Sequence, residues 1–100
     1  MVLLRTSTTP EALRLEGEID LTVGDQFAEA LRASFASGTT SIDLSGVTFM
    51  DSTAVSILLV AAKRLDGQGP LVLLRPSKFV RRLLDTVVPR GHSSLDVRDE

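Results

Sequence analysis

Cysteine is absent, which excludes disulfides, thiolate metal ligands and a cysteine nucleophile. The single histidine, His92, excludes a multi-histidine zinc site. It lies between Gly91 and Ser93 in a polar stretch that reads as solvated loop. Tryptophan and tyrosine are also absent, and the four phenylalanines do not cluster as base-stacking platforms. With a formal net charge of −2, the chain carries no footprint for nucleic acid. No apolar run approaches the ~18–20 residues of a membrane span. The opening Met1-Val2-Leu3-Leu4-Arg5 lacks the basic region and long apolar core of a signal peptide. The expected location is the cytoplasm.

What is present suffices for one core. The 100 residues are 43% hydrophobic and 24% charged, which predicts a single domain over residues 1–100. Val2–Arg5 is a short apolar run ending in a Thr6–Pro10 turn. Leu13, Leu15 and Ile19 then alternate with Arg14, Glu16 and Glu18, the pattern of a half-buried strand. So short a turn between two strands predicts an antiparallel hairpin.

From Thr22 the period changes to that of a helix, with Val23, Phe27, Ala30, Leu31, Ser34 and Phe35 inward. Thr22 is its expected cap and Gly38 its stop. Ser41–Leu44 reads as a strand with Ile42 and Leu44 on one face and Asp43 on the other; Ser45–Met50 reads as a connection. A second helix is expected from Ser52 to Leu65, apolar almost all round and therefore buried on most sides. Gly67, Gly69 and Pro70 stop it. Leu71–Leu74 suits the middle of a sheet. Ser77 caps a third helix with Phe79, Val80, Leu83, Leu84 and Val87 inward and Lys78, Arg81 and Arg82 outward. Pro89 and Gly91 end it, and Ser94–Val97 has the length of a last strand. The fold class is α/β: a mixed, mostly parallel sheet with an N-terminal β-hairpin and packed α-helices.

In open α/β sheets function gathers where strands end and helices begin. Three such segments carry acids or hydroxyls: Gly17–Thr22, Asp43–Gly46 and Met50–Ala54. The third places Asp51, Ser52 and Thr53 at the start of the most apolar helix. Asp51 or Ser52 capping that helix is the plain reading. A phosphoacceptor is the sharper one, since the N–H groups of a helix N-terminus favour an anion. An acidic cluster of Asp20, Asp43 and Asp51 holding Mg²⁺ is disfavoured by the opening hairpin, and no metal or cofactor is expected. Catalysis is not expected either: with no cysteine and one histidine, Ser52 has no evident base. Lys63 and Arg64 read as a solvated helix face, and Arg75, Lys78, Arg81, Arg82 and Arg90 as a loose basic set.

The pair of signatures Gly17-Glu18-Ile19-Asp20-Leu21 and Ile42-Asp43-Leu44-Ser45-Gly46-Val47-Thr48-Phe49-Met50-Asp51-Ser52-Thr53-Ala54 resembles the STAS domain of bacterial anti-sigma factor antagonists. The likeness covers nearly the whole chain in element order and spacing. It implies phosphorylation at Ser52, with Thr53 the alternative, by an anti-sigma factor serine kinase. The unphosphorylated form would bind that kinase and release a sigma factor, and a PP2C-type phosphatase would reset the switch. Asp20, Asp51, Ser52 and Thr53 are the implied partner-binding residues. Ala54 stands where the family has glycine. Two other classes compete: a non-switching STAS scaffold subunit of a stress-signalling or lipid-transport assembly, in which Ser52 is only a cap, and a small enzyme or ligand-binding domain, against which the poor catalytic inventory argues.

Overall fold

A computed structural model describes residues 4–9, 11–65, 69–87 and 95–98. Its elements are β1 (Leu4–Thr8), β2 (Leu13–Ile19), a 3-10 turn (Leu21–Val23), α1 (Gly24–Ala36), β3 (Ser41–Met50), α2 (Ser52–Lys63), β4 (Leu71–Leu74), α3 (Lys78–Val87) and β5 (Leu95–Arg98). The sheet order follows the chain, β1-β2-β3-β4-β5. β1 and β2 form the antiparallel hairpin; β2, β3, β4 and β5 are parallel. Each βαβ unit advances one place in the same direction, so right-handed crossovers lay the helices on one face. Leu13, Leu15, Ile42, Leu44, Leu71 and Leu73 of that face are buried beneath Phe27 and Leu31 of α1, Val55 and Leu58 of α2, and Val80 and Leu84 of α3.

Thr6, Ser7 and Thr8 pair with Leu15, Arg14 and Leu13 as part of β1, so the hairpin turn is shorter than the sequence pattern implies. β-branched threonines fit a pleated edge as readily as a turn. Thr9 makes the turn: its hydroxyl accepts the N–H groups of Glu11 and Ala12 and donates to the Ala12 carbonyl. Asp20, not Thr22, caps the 3-10 turn that precedes α1, accepting the Thr22 N–H at 2.9 Å and the Thr22 hydroxyl. α2 ends at Lys63, where the Arg64 and Leu65 N–H groups tighten onto Ala61 and Ala62. It is also less buried than its composition implies, because Ser56 and Val60 face outward. Together with Leu31, Phe35, Ile57 and Ala61, Val60 lines a half-open groove of about 580 Å³ between α1 and α2. Phe79 is half exposed rather than inward. Gly67, Pro89, Arg90, Gly91, His92 and Ser94 lie outside the described residues.

The largest departure is at Ser45–Met50, which is strand and not connection. Between Arg14 and Ile19, β2 advances from Asp43 to Met50 on β3, with register shifts at Arg14/Glu16 and at Gly17/Glu18. Each shift is an extra residue on β3, a β-bulge. The buried apolar side chains of β3 accordingly fall at Ile42, Leu44, Val47 and Met50, and period-2 alternation is lost. Gly46 sits at the first bulge. A Cβ there would stand 2.7 Å from Glu16 Cγ and 2.9 Å from the Leu15 carbonyl oxygen.

Asp43, a strand-end acid whose sequence position reads as solvated or capping, is buried on the polar face of the sheet. Its Oδ2 accepts from Arg75 at 2.9 Å and lies 3.7 Å from Arg14; Oδ1 accepts the Ser45 N–H. Arg75 has φ of +52°, unusual for a residue with a Cβ, and its N–H donates to the Arg98 carbonyl at 2.7 Å. Burial alone would push the Asp43 carboxyl upward. The hydrogen bonds from Arg75 and Ser45 and the Arg75 charge together outweigh that and hold it at about 2, below its ordinary 3.8.

Two outcomes follow from this packing. Gly46→Ala should destabilise the domain by about 1–3 kcal/mol, because a backbone oxygen stands in the way; urea unfolding measures this. The Asp43 contribution is fully present above the unfolded carboxyl pKa and is lost as pH falls from about 4 through about 2. The full shift corresponds to about 2 kcal/mol, and to about 1 kcal/mol after solvent screening at the half-exposed arginines. Unfolding followed between pH 5 and 2 should show that loss in the wild type and a flatter profile in Asp43→Asn.

Candidate functional site

The end of β3 and the start of α2 are built around one carboxylate. Asp51 is extended (φ −108°, ψ 178°), and its N–H continues the β2–β3 ladder to the Ile19 carbonyl at 3.2 Å. Its side chain then serves two elements. Oδ1 accepts the Ala54 N–H at 3.0 Å, capping α2, and Oδ2 accepts the Leu21 N–H at 3.2 Å, tying down the turn after β2. Asp20 is likewise committed, to the Thr22 N–H and hydroxyl. Both acids of the expected binding set therefore hold backbone in place.

Ser52 is the first helical residue and is exposed. Among the described residues no hydrogen bond occupies its hydroxyl or that of Thr53. Thr53 is half-buried and turns toward the α1–α2 groove, which leaves Ser52 as the accessible hydroxyl. Ala54 is 1% exposed, so its methyl packs inward and adds nothing to the outer surface. Asp43 does not join Asp20 and Asp51; its partners are Arg14 and Arg75, and no group of three potential metal-ligating side chains occurs among the described residues.

Three exposed apolar side chains surround this turn, none of which the sequence pattern had placed at a surface. Leu21 is 73% exposed, Phe49 38% and Phe79 51%. Phe49 and Phe79 stack, with ring centroids 5.5 Å apart and planes at 28°. Helical periodicity had put Phe79 in the core because Phe is apolar; its neighbours Lys78 and Arg82 were the available signal. Lys63 and Arg64 are exposed, as a solvated helix face requires. In the basic set, Arg75 pairs with Asp43 and Arg81 with Asp85.

The small α/β sheet thus presents a capped, hydroxyl-bearing helix start near exposed apolar side chains. Residues 3–87 match the family model described as Mlab, STAS domain. The chain belongs to the STAS domain family, and its likeness within it is to anti-sigma factor antagonists. It is 32% identical over 75 residues to an anti-sigma F factor antagonist of Lysinibacillus sphaericus, a match spanning 71% of this chain and 64% of that relative's length. The structure of the anti-sigma factor antagonist SpoIIAA in its unphosphorylated form is similar, with a TM-score of 0.64 and 25% identity. That similarity covers 95% of this chain and 87% of SpoIIAA. An anti-sigma factor antagonist from Mycobacterium paratuberculosis shares the fold, with a TM-score of 0.76 at 20% identity over 96% of this chain and 86% of its own. Among the described residues no helix is long and apolar enough to cross a membrane.

The two neighbouring side chains should respond unequally to truncation. Asp51→Ala removes the cap and the Leu21 tie, at a cost of about 1–2 kcal/mol. Ser52→Ala removes no hydrogen bond and should fall within about 0.5 kcal/mol of the wild type. Paired denaturant titrations measure both; equal losses would contradict the assignment of Asp51 as the cap.

Proposed function

We propose that this chain is a phosphorylation-switched anti-sigma factor antagonist. Its unphosphorylated form binds an anti-sigma factor serine kinase, and a sigma factor is thereby released. The kinase transfers the γ-phosphoryl group of ATP to the Ser52 oxygen, ADP leaves, and the hydroxyl proton passes to a base of the kinase. A PP2C-type phosphatase hydrolyses the ester and restores binding. The chain supplies the acceptor and the docking surface and is not itself the enzyme.

The observation that carries this reading is the free, exposed Ser52 hydroxyl at the first position of α2. The similarity to SpoIIAA, described in an unphosphorylated form, supports it. Phosphate adds about 1.5–2 negative charges at neutral pH. At a helix start those charges are favoured by the backbone N–H groups. The fold therefore tolerates the modification, and the charge acts on whatever partner faces it. Asp20 and Asp51 contribute by positioning: they fix the Leu21 turn and the Ser52 backbone that the partner meets. Thr53, turned toward the groove, is the lesser acceptor.

A second reading is a non-switching STAS subunit of a stress-signalling or lipid-transport assembly. The match to the Mlab model and the self-sufficient Asp51 cap favour it. One experiment separates the two. The chain is incubated with anti-sigma factor serine kinases and ATP, then read by intact mass and peptide mapping. The switch predicts one phosphate, mapped to Ser52, on the wild type and on Thr53→Ala, and none on Ser52→Ala. No uptake by the wild type, or uptake mapped only to Thr53, contradicts it.

A further inference from the structure

We propose that Leu21 and the Phe49–Phe79 pair form an apolar docking rim on either side of Ser52. The protein partner that reads Ser52 seats on this rim with an apolar patch bordered by carboxylates. The inference rests on the reading of Ser52 as the switched residue.

The strand order brings the three side chains to one edge. β2, β3 and β4 are parallel neighbours, and their C-terminal ends lead into the Leu21 turn, the Ser52 helix start and the start of α3. The last β3–β4 pair is Asp43–Leu74, so Leu44–Met50 of β3 project beyond β4. α3 packs against β3, which sets Phe79 against Phe49 on the projecting end. Ser52 therefore has Leu21 on its β2 side and the stacked rings on its β4 side.

Exposure at these sites runs against ordinary sorting. The four large hydrophobic side chains that are exposed among the described residues are Leu21, Phe49, Val60 and Phe79, and three of the four are on this rim. Half of the chain's phenylalanines are spent there, in a sequence with no tryptophan or tyrosine. Aromatic side chains clustered at a surface are typical anchors of protein interfaces. Leu21 is not loosely placed either, since the Asp51 carboxylate holds its backbone.

Charge specifies the partner. Lys78 and Arg82 are exposed and, at i,i+4 on α3, flank Phe79. Neither forms an ion pair among the described residues. Across the rim, Asp20 and Asp51 direct their oxygens onto backbone N–H groups, and Glu18, the exposed acid, sits beside Phe49 in the β2–β3 register. The unpaired cations thus lie on the α3 side, where carboxylates of the partner complement them. A phosphate on Ser52 would then stand opposite an acidic surface, which gives the switch its repulsive half.

The test uses the kinase that phosphorylates Ser52, titrated calorimetrically without ATP turnover against the unmodified chain. Phe79→Ala and Leu21→Ala should each weaken binding by about tenfold or more, with unchanged circular dichroism; the melting temperature should hold in Leu21→Ala, whose side chain is exposed, and fall slightly in Phe79→Ala, which loses its stack on Phe49. Lys78→Glu combined with Arg82→Glu should weaken binding and remove most of its salt dependence. Wild-type affinity in both Phe79→Ala and Leu21→Ala, while phosphorylation of Ser52 still abolishes binding, overturns the rim alone. A wild-type chain that no such kinase binds or phosphorylates overturns the switch reading, and the rim with it.

Discussion

The Asp51 carboxylate is the interaction on which the candidate site depends. One oxygen takes the Ala54 N–H and fixes where α2 begins; the other takes the Leu21 N–H and fixes the turn that leaves β2. A helix start left without such a partner leaves backbone donors unsatisfied. With Asp51 in that role, the Ser52 hydroxyl has no structural duty. A side chain free of internal bonds can be modified without unfolding what surrounds it.

Asp51 follows a stretch of β3, Ile42–Met50, that is two residues longer than the Leu13–Ile19 stretch of β2 it pairs with. The bulges shift the side-chain phase of β3 beyond its last pairing with β4, so that Met50 enters the core and Phe49 turns out. Gly46 permits the first bulge by letting the Leu15 carbonyl approach where a side chain would block it. On the polar face, Asp43 and Arg75 lock β3 to the segment after β4. The core, the bulged strand and the half-buried ion pair thus converge on one result, an edge that presents Ser52.

Element order, the antiparallel hairpin, the parallel remainder and α1, α2, β4 and α3 were legible in the sequence, because amphipathic periodicity and strand length are local signals. Ser45–Met50 was not, because each bulge shifts the phase of the alternation and a strand then reads as a connection. Asp43 was not, because its arginine partners are distant in sequence and alternation alone sends an acid to solvent. The Ser52 turn was legible from the change between a polar triplet and an apolar helical run. The division of labour within it was not, since Asp51, Ser52 and Thr53 are all plausible caps and only the fold decides among them. Phe79 was missed for the opposite reason: an apolar residue at helical spacing is assigned to the core unless a partner surface is known.

The proposed regulatory surface places Ser52 beside the exposed side chains of Leu21, Phe49 and Phe79, at a helix start whose N–H groups favour an added negative charge. The measurement that tests this most directly compares the unmodified and the stoichiometrically Ser52-phosphorylated chain, titrated against the same anti-sigma factor kinase in the same nucleotide state. The account predicts that phosphorylation weakens binding by about a hundredfold or more, roughly 3 kcal/mol, with no change in circular dichroism. Equal affinity of the two forms would contradict it and leave Ser52 as an ordinary first residue of a helix.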